Sequence, residues 1–255
     1  LPIESTGKLL QGAMWFKATL ILLGLAVIWL FRDGASDAHR TIGPIKAERA
    51  VPPQVTVLMI LLLVGTVLRL YGLEKGLWYD EITAYVKYVR MPIGTLLTTY
   101  DSENQHFLYT LFAHACIAWF GDSGWAVRLP AVVFGIGSLL GVYLVGRELL
   151  SEQEALLATA LLVFSYHHIW FSQNARGYTG VMAFAMLATW AFLRGLRENT
   201  IIWWCWYAMA SAAGVFVHVT MVFVIVSHFL IYCVRLMSNR NWRLSASWRG
   251  MLYGL

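Results

Sequence analysis

Ala126-Val127-Arg128-Leu129-Pro130-Ala131-Val132-Val133-Phe134-Gly135-Ile136-Gly137-Ser138-Leu139-Leu140-Gly141-Val142-Tyr143-Leu144-Val145 carries one charged side chain, Arg128, in its first turn. A helix of about 20 mostly apolar residues matches the hydrocarbon thickness of a bilayer. A helix that is apolar all round leaves no face for water. Gly137 and Gly141 form a small-xxx-small step that suits close packing by a second helix, with a substrate groove as the alternative. Runs of the same kind lie on either side, at Leu9–Phe31, Val55–Tyr71, Ala155–Phe171, Tyr178–Leu193, Ile201–Val217 and Val219–Val234. Lys17 interrupts the first, which is either a tilted span with a snorkelling lysine or an interfacial helix. The pattern predicts an all-α fold, a polytopic transmembrane helical bundle of about 6–7 spans.

The composition agrees. Of 255 residues, 59% are hydrophobic and 13% charged, against roughly 25% charged in soluble domains. Loop arginines account for the net charge of +5, and with no basic motif or stacking platform nothing calls for nucleic acid as a partner. Cys116, Cys205 and Cys233 sit in apolar runs without metal-ligand spacing and read as small buried hydrophobes. The chain starts at Leu1 rather than Met and stops at Leu255 after a basic stretch, as expected of a fragment or a processed product. No cleavable signal peptide is evident.

Basic loops set the direction of the spans. Arg32, Arg40, Lys46 and Arg49 precede the second span, Arg147 follows the third, Arg194 and Arg197 follow the fifth, and Arg235, Arg240, Arg243 and Arg249 follow the last. Placing all of them in the cytoplasm satisfies the positive-inside rule with strict alternation. The loop 72–125, the junction 172–177 and the turn at His218 then share the extracytoplasmic face. The chain divides into an N-terminal apolar helix and basic loop (1–54), a membrane module (55–235) and a basic segment (236–255). Two amphipathic juxtamembrane helices are expected in the large loop. Asp80–Met91 puts Ile82, Val86 and Val89 on one face. His106–Phe120 is too short to span and aligns His106, Thr110 and His114 on one stripe.

Asp80-Glu81, flanked by Trp78 and Tyr79, is the sharpest chemical feature. Mutual repulsion or partial burial could tune one carboxylate towards general-base work; acidic residues also favour the start of a helix for electrostatic reasons alone. Arg176, in Ser172-Gln173-Asn174-Ala175-Arg176-Gly177-Tyr178, lies on the side where arginine is disfavoured. It suits a phosphate-bearing ligand or lipid headgroups, and Arg128 allows the same two readings. His167 and His168 read as an aromatic belt with Tyr166 and Trp170. His218 interrupts an apolar stretch and suits a site, and mid-span His228 suits a packing hydrogen bond.

Taken together, Leu77-Trp78-Tyr79-Asp80-Glu81, Glu103-Asn104-Gln105-His106-Phe107-Leu108-Tyr109, Trp125-Ala126-Val127-Arg128-Leu129-Pro130 and the stretch from Tyr166 to Tyr178 resemble the GT-C membrane glycosyltransferases. The likeness is to the bacterial branch related to protein O-mannosyltransferases and the lipid A aminoarabinose transferase, over about residues 55–235. The prolines that this family often carries after the histidine are replaced here by Phe107-Leu108, and its members usually continue well beyond the length seen here.

The resemblance implies transfer of a sugar, with inversion, from a polyprenyl-phosphate donor to a lipid, glycan or protein acceptor at the periplasmic face of a bacterial inner membrane. Asp80 would be the general base and Glu81 would orient acceptor or sugar. Arg128 and Arg176 would hold the donor phosphate, while His106, Gln173, Tyr178 and His218 line the cavity. No cofactor is required, although a divalent metal near the carboxylates and the phosphate is compatible with the pattern. A transporter or flippase for a lipid-linked or anionic substrate, or a non-catalytic scaffold, are the competing readings.

Overall fold

The computed structural model describes residues 52–98 and 105–238. The apolar run Leu9–Phe31, the basic loop behind it, the first two residues, Glu103-Asn104, of one motif and the basic segment after residue 238 lie outside the described residues. Among the described residues every regular element is helical.

Helix α1 (Pro53–Leu70) begins on Pro52-Pro53, with a proline at its first position where the missing N–H costs nothing. One side faces the bundle through Leu58, Gly65 and Arg69, while Met59, Ile60, Leu63 and Val67 are 55–65% exposed. Such a stripe of bare aliphatic side chains is what lipid, not water, solvates. Gly72, at φ +75°, turns the chain out of α1.

The loop then forms α2 (Tyr79–Ala84), which runs into a π-helical turn (Tyr85–Val89), followed by α3 (Ile93–Thr98) and α4 (Phe107–Phe120). The expected Ile82/Val86/Val89 stripe is split: Ile82 and Val86 are exposed and Val89 is buried against Tyr109 and Ala113. The cause is the wide turn, in which the Arg90 N–H reaches back to Tyr85 O and shifts the helical register by about one residue. Tyr85 donates to Asp122, and His114 Nδ1 lies 2.8 Å from Val89 O, so the turn is tied both to α4 and to the short connection that follows α4.

Helix α5 (Gly124–Leu149) is the central element and packs against α1, α4, α6 (Glu152–Val163), α7 (Tyr166–Ser172) and α8 (Tyr178–Glu198). At Gly141 a Cβ would come within 2.6 Å of Met186, so the close approach of α5 and α8 depends on the missing side chain. Gly137, with only Ala183 at 3.8 Å, leaves more room. Helices α9 (Ile201–Val217) and α10 (Met221–Ser238) close the bundle over Phe192, Trp204 and Tyr207. His228 stacks on Phe192 and bonds Thr189, linking α10 to α8.

Among the described residues three helices, α1, α5 and α8, are long and apolar enough to cross a membrane. The expected fourth span is instead two helices, α6 and α7, bent by 64° at Phe164-Ser165. Helix α9 and the stretch Met221–Met237 of α10 are apolar but shorter; at 1.5 Å per residue a 17-residue helix is about 25 Å long, under a typical hydrocarbon core.

Candidate active site

Adjacent carboxylates in the first turn of α2 have opposite fates. Glu81 is the third helical residue, so its side chain folds back to accept the Trp78 N–H at 2.7 Å, as a capping box requires. That return path buries it completely. Its Oε1 accepts from Arg128 Nε (2.9 Å) and from the Ala175 N–H (2.5 Å), and its Oε2 from Arg128 Nη2 (2.7 Å). Burial pushes the carboxyl upward in pKa. The hydrogen bonds from Arg128, Trp78 and Ala175, together with the Arg128 charge, outweigh it and hold Glu81 below the ordinary carboxylate value. Asp80, one residue earlier, is exposed and makes no hydrogen bond or ion pair among the described residues.

Arg128 is itself 4% exposed and spends all five N–H groups on the protein. Beyond the bidentate pairing with Glu81, Nη1 donates to Leu73 O (2.7 Å) and Lys75 O (2.6 Å), and Nη2 to Gly76 O (3.1 Å). The loop 73–76 is wrapped around the guanidinium. Glu81 and Arg128, read from the sequence as acceptor-orienting and phosphate-holding groups, thus form a clamp that joins the loop, α5 and the turn before α8.

That turn carries the remaining candidates. Gln173 Nε2 donates to Leu68 O and Tyr71 O and so caps the end of α1. Arg176 is buried, with its guanidinium 5.6 Å from the Tyr178 ring and Nη2 3.5 Å from the Tyr178 hydroxyl. The His106 ring lies 5.2 Å from Tyr178 and 5.0 Å from His218. Gly177 admits it: a Cβ there would come within 2.6 Å of His106 Nδ1. Both His106 nitrogens are enclosed without a hydrogen-bond partner among the described residues. Burial, then the charges of Arg176 and His218, lower its pKa to about 3, so the ring is neutral at ordinary pH. The structure thus brings His106, Arg176, Tyr178 and His218 into one cluster, with the Glu81–Arg128 clamp reaching the same turn through Ala175. Among the described residues no three His, Cys, Asp or Glu side chains converge on a metal position.

Arg69 belongs to none of the motifs in the sequence. Fully buried, it donates to Gly65 O, Leu162 O and Val163 O and to His168 Nδ1 at 2.7 Å. The first function of this group is to satisfy carbonyls released where α6 stops and α7 turns away. Arginine has no acceptor, so His168 Nδ1 must accept. Its Nε2 then carries the proton and donates to Ser138 Oγ at 2.7 Å. His168 is therefore a buried strut between α1 and α5, whereas its neighbour His167 is exposed against Tyr166. Its signal in the sequence is a lone arginine in the last turn of a membrane-length helix.

Comparison with known proteins gives two matches. A family model described as dolichyl-phosphate-mannose-protein mannosyltransferase matches residues 104–255, more than half of the chain. It takes in His106, Arg128, Gln173, Arg176, Tyr178 and His218 and starts after Asp80 and Glu81. "Putative mannosyltransferase YkcB" of Bacillus subtilis (strain 168) is 27% identical over 84 residues, which cover 33% of this chain and 12% of that protein. The chain therefore corresponds to a small part of that relative's length. No solved structure matches.

Proposed function

The chain belongs to the dolichyl-phosphate-mannose-protein mannosyltransferase family, and from that premise we propose that it transfers a sugar from a polyprenyl-phosphate donor to an acceptor hydroxyl, with Asp80 as the general base. The acceptor oxygen attacks the anomeric carbon while its proton passes to Asp80. The bond from that carbon to the phosphate oxygen breaks, and the electron pair leaves with the polyprenyl phosphate. Attack opposite the leaving group inverts the configuration.

The observation that carries this reading is the division of labour between neighbours. Glu81 has its oxygens saturated by four hydrogen bonds, which makes it a positioning residue and leaves Asp80 exposed at a fixed place beside it. A base must be able to reach a substrate proton, and among the two only Asp80 is accessible. Arg176 with Tyr178 is assigned the donor phosphate, and His106 and His218 the wall beside it. Arg128, with its N–H groups committed to the clamp, acts through position. The acceptor is a lipid, glycan or protein. The site is assigned to the periplasmic face of a bacterial inner membrane, supported by Arg147, Arg194 and Arg197 lining a common cleft at the far ends of α5 and α8.

The bent α6–α7 pair with buried Arg69 and His168 is the feature that a transporter would share. Arg69 is bonded to main-chain carbonyls and to His168, which favours a structural brace over a substrate pathway.

The test is a transfer assay on the full-length protein with a panel of polyprenyl-phosphate sugars. Asp80→Asn is expected to lower kcat by about 10²–10⁴-fold with an unchanged melting midpoint, and Arg176→Ala to raise the donor KM. Undiminished turnover in Asp80→Asn would refute the assignment of the base.

A further inference from the structure

A cavity of about 150 Å³ opens beside the clamp. Its rim is formed by Trp78 and Trp170, 67% and 40% exposed, and its wall by the amides of Gln173 and Asn174. Lys75 lies at the edge and the Glu81–Arg128 pair forms the floor. None of Lys75, Trp78, Trp170 or Asn174 has a role in the chemistry described above.

We propose that this cavity is a subsite for one pyranose ring. The inference rests on the transferase reading for where the ring comes from, and on the lining for the ring itself. Taking about 30 Å³ per water, the space holds roughly five waters, which is the scale of one monosaccharide and not of a chain. Two indoles offer flat apolar faces of the kind on which the C–H face of a sugar stacks, with a polar edge to spare. Gln173 has both of its N–H groups on Leu68 O and Tyr71 O and offers its amide oxygen as an acceptor, while the Asn174 amide carries donors and an acceptor. Asn174 is only 9% exposed, and its Oδ1 is enclosed without a hydrogen-bond partner among the described residues. A hydroxyl, which both donates and accepts, fits whichever edge an amide presents.

Other ligand classes fit less well. A phosphate needs several donors; the guanidinium on the floor and the Gln173 amide have already given all of theirs, which leaves the Lys75 ammonium at the edge and the Asn174 amide. A polyprenyl or acyl chain would bury two amides and an ion pair against hydrocarbon.

The cavity is also held open by the clamp. Trp78 is fixed through its N–H on Glu81 Oε2, and Asn174 precedes Ala175, whose N–H sits on Glu81 Oε1. One carboxylate therefore sets the spacing between the two walls, with Asp80 adjoining it in sequence.

Saturation-transfer NMR on the full chain in detergent would test the assignment, using methyl glycosides of mannose, glucose, galactose and 4-aminoarabinose, with glycerol and inorganic phosphate as controls. At least one glycoside is expected to receive saturation on its ring C–H protons. Trp170→Ala and Asn174→Ala should weaken that binding about tenfold, as loss of one stacking or hydrogen-bonding partner does, while Trp170→Phe retains it. Trp78→Ala, at an exposed side chain whose main chain makes the fixing bond, guards against loss by misfolding and should weaken binding too. No saturation of any glycoside, a signal indifferent to all three alanine variants, or displacement by inorganic phosphate would each overturn the assignment. In the transfer assay, Trp78→Ala should raise KM for the substrate that supplies the ring, donor or acceptor; a rise for neither overturns it as well. Failure of the base assignment is separate, since Asp80→Asn would then keep its activity with glycoside binding intact.

Discussion

Replacing Glu81 by glutamine changes one oxygen to an amide and tests whether the buried carboxylate is a clamp. The amide can keep its oxygen on one side, towards Arg128 Nε and the Ala175 N–H. Its NH₂ must then face Arg128 Nη2 and the Trp78 N–H, so that donor meets donor at positions now 2.7 Å apart. Arg128, 4% exposed, also loses its counter-charge. Removing one member of a buried pair typically costs about 3–5 kcal/mol, which for a bundle of this size lowers the melting midpoint by roughly 6–20 °C.

The pH dependence has a definite sign. The folded pKa of Glu81 lies below its ordinary 4.5, so its contribution is complete above that value and is lost as pH falls through the lowered one. Glu81→Gln should therefore melt lower at neutral pH and lose the steepest part of the acid limb. The measurement is a thermal melt of the detergent-solubilised chain across pH 3–8 by circular dichroism. A Glu81→Gln midpoint within about 2 °C of wild type at pH 7 would show that the four bonds do not hold the site together.

Three other outcomes rest on neighbouring contacts. His106 is held neutral, with its pKa near 3, so acidification from its ordinary 6.5 towards 3 favours the unfolded chain, which takes up a proton there; His106→Gln should flatten the loss of melting temperature over that window, which begins well above the one governed by Glu81. Arg69→Met leaves Leu162 O, Val163 O and His168 Nδ1 without their donor and should lower the melting midpoint by roughly 5–10 °C, with an unchanged midpoint refuting the brace. Gly141→Ala, which meets Met186 at 2.6 Å, should cost about 1–3 kcal/mol, whereas Gly137→Ala, facing Ala183 at 3.8 Å, should stay within about 0.5 kcal/mol in the same melts.

Features fixed by local composition were readable in advance. Apolar runs located α1, α5 and α8, and the glycine step at residues 137 and 141 located a helix contact. The break between α6 and α7 was not readable, because Phe164-Ser165 contains neither proline nor glycine. What stabilises the bend is a guanidinium from more than ninety positions earlier in the chain. The charge rule put Arg128 at the same end of the bundle as Glu81 and the turn before α8, where the clamp joins them, but said nothing of its commitments, since the loop 73–76 that engages it has no periodicity to read. The surroundings of Asp80 and Glu81 differ for a reason partly legible, namely that the third position of a helix can reach back to its cap and the second cannot.

The Glu81 clamp also imposes an order on the making of the protein. Its carboxylate emerges from the ribosome 94 residues before the Ala175 N–H that completes it, a delay of about 5–20 s at ordinary elongation rates. Throughout that interval the loop has already left the ribosome while one of its fastenings has not yet been synthesised. This end of the bundle is therefore assembled late, by the arrival of the turn before α8, and a nascent chain arrested between Arg128 and Ala175 would present a half-closed site to whatever factors oversee insertion.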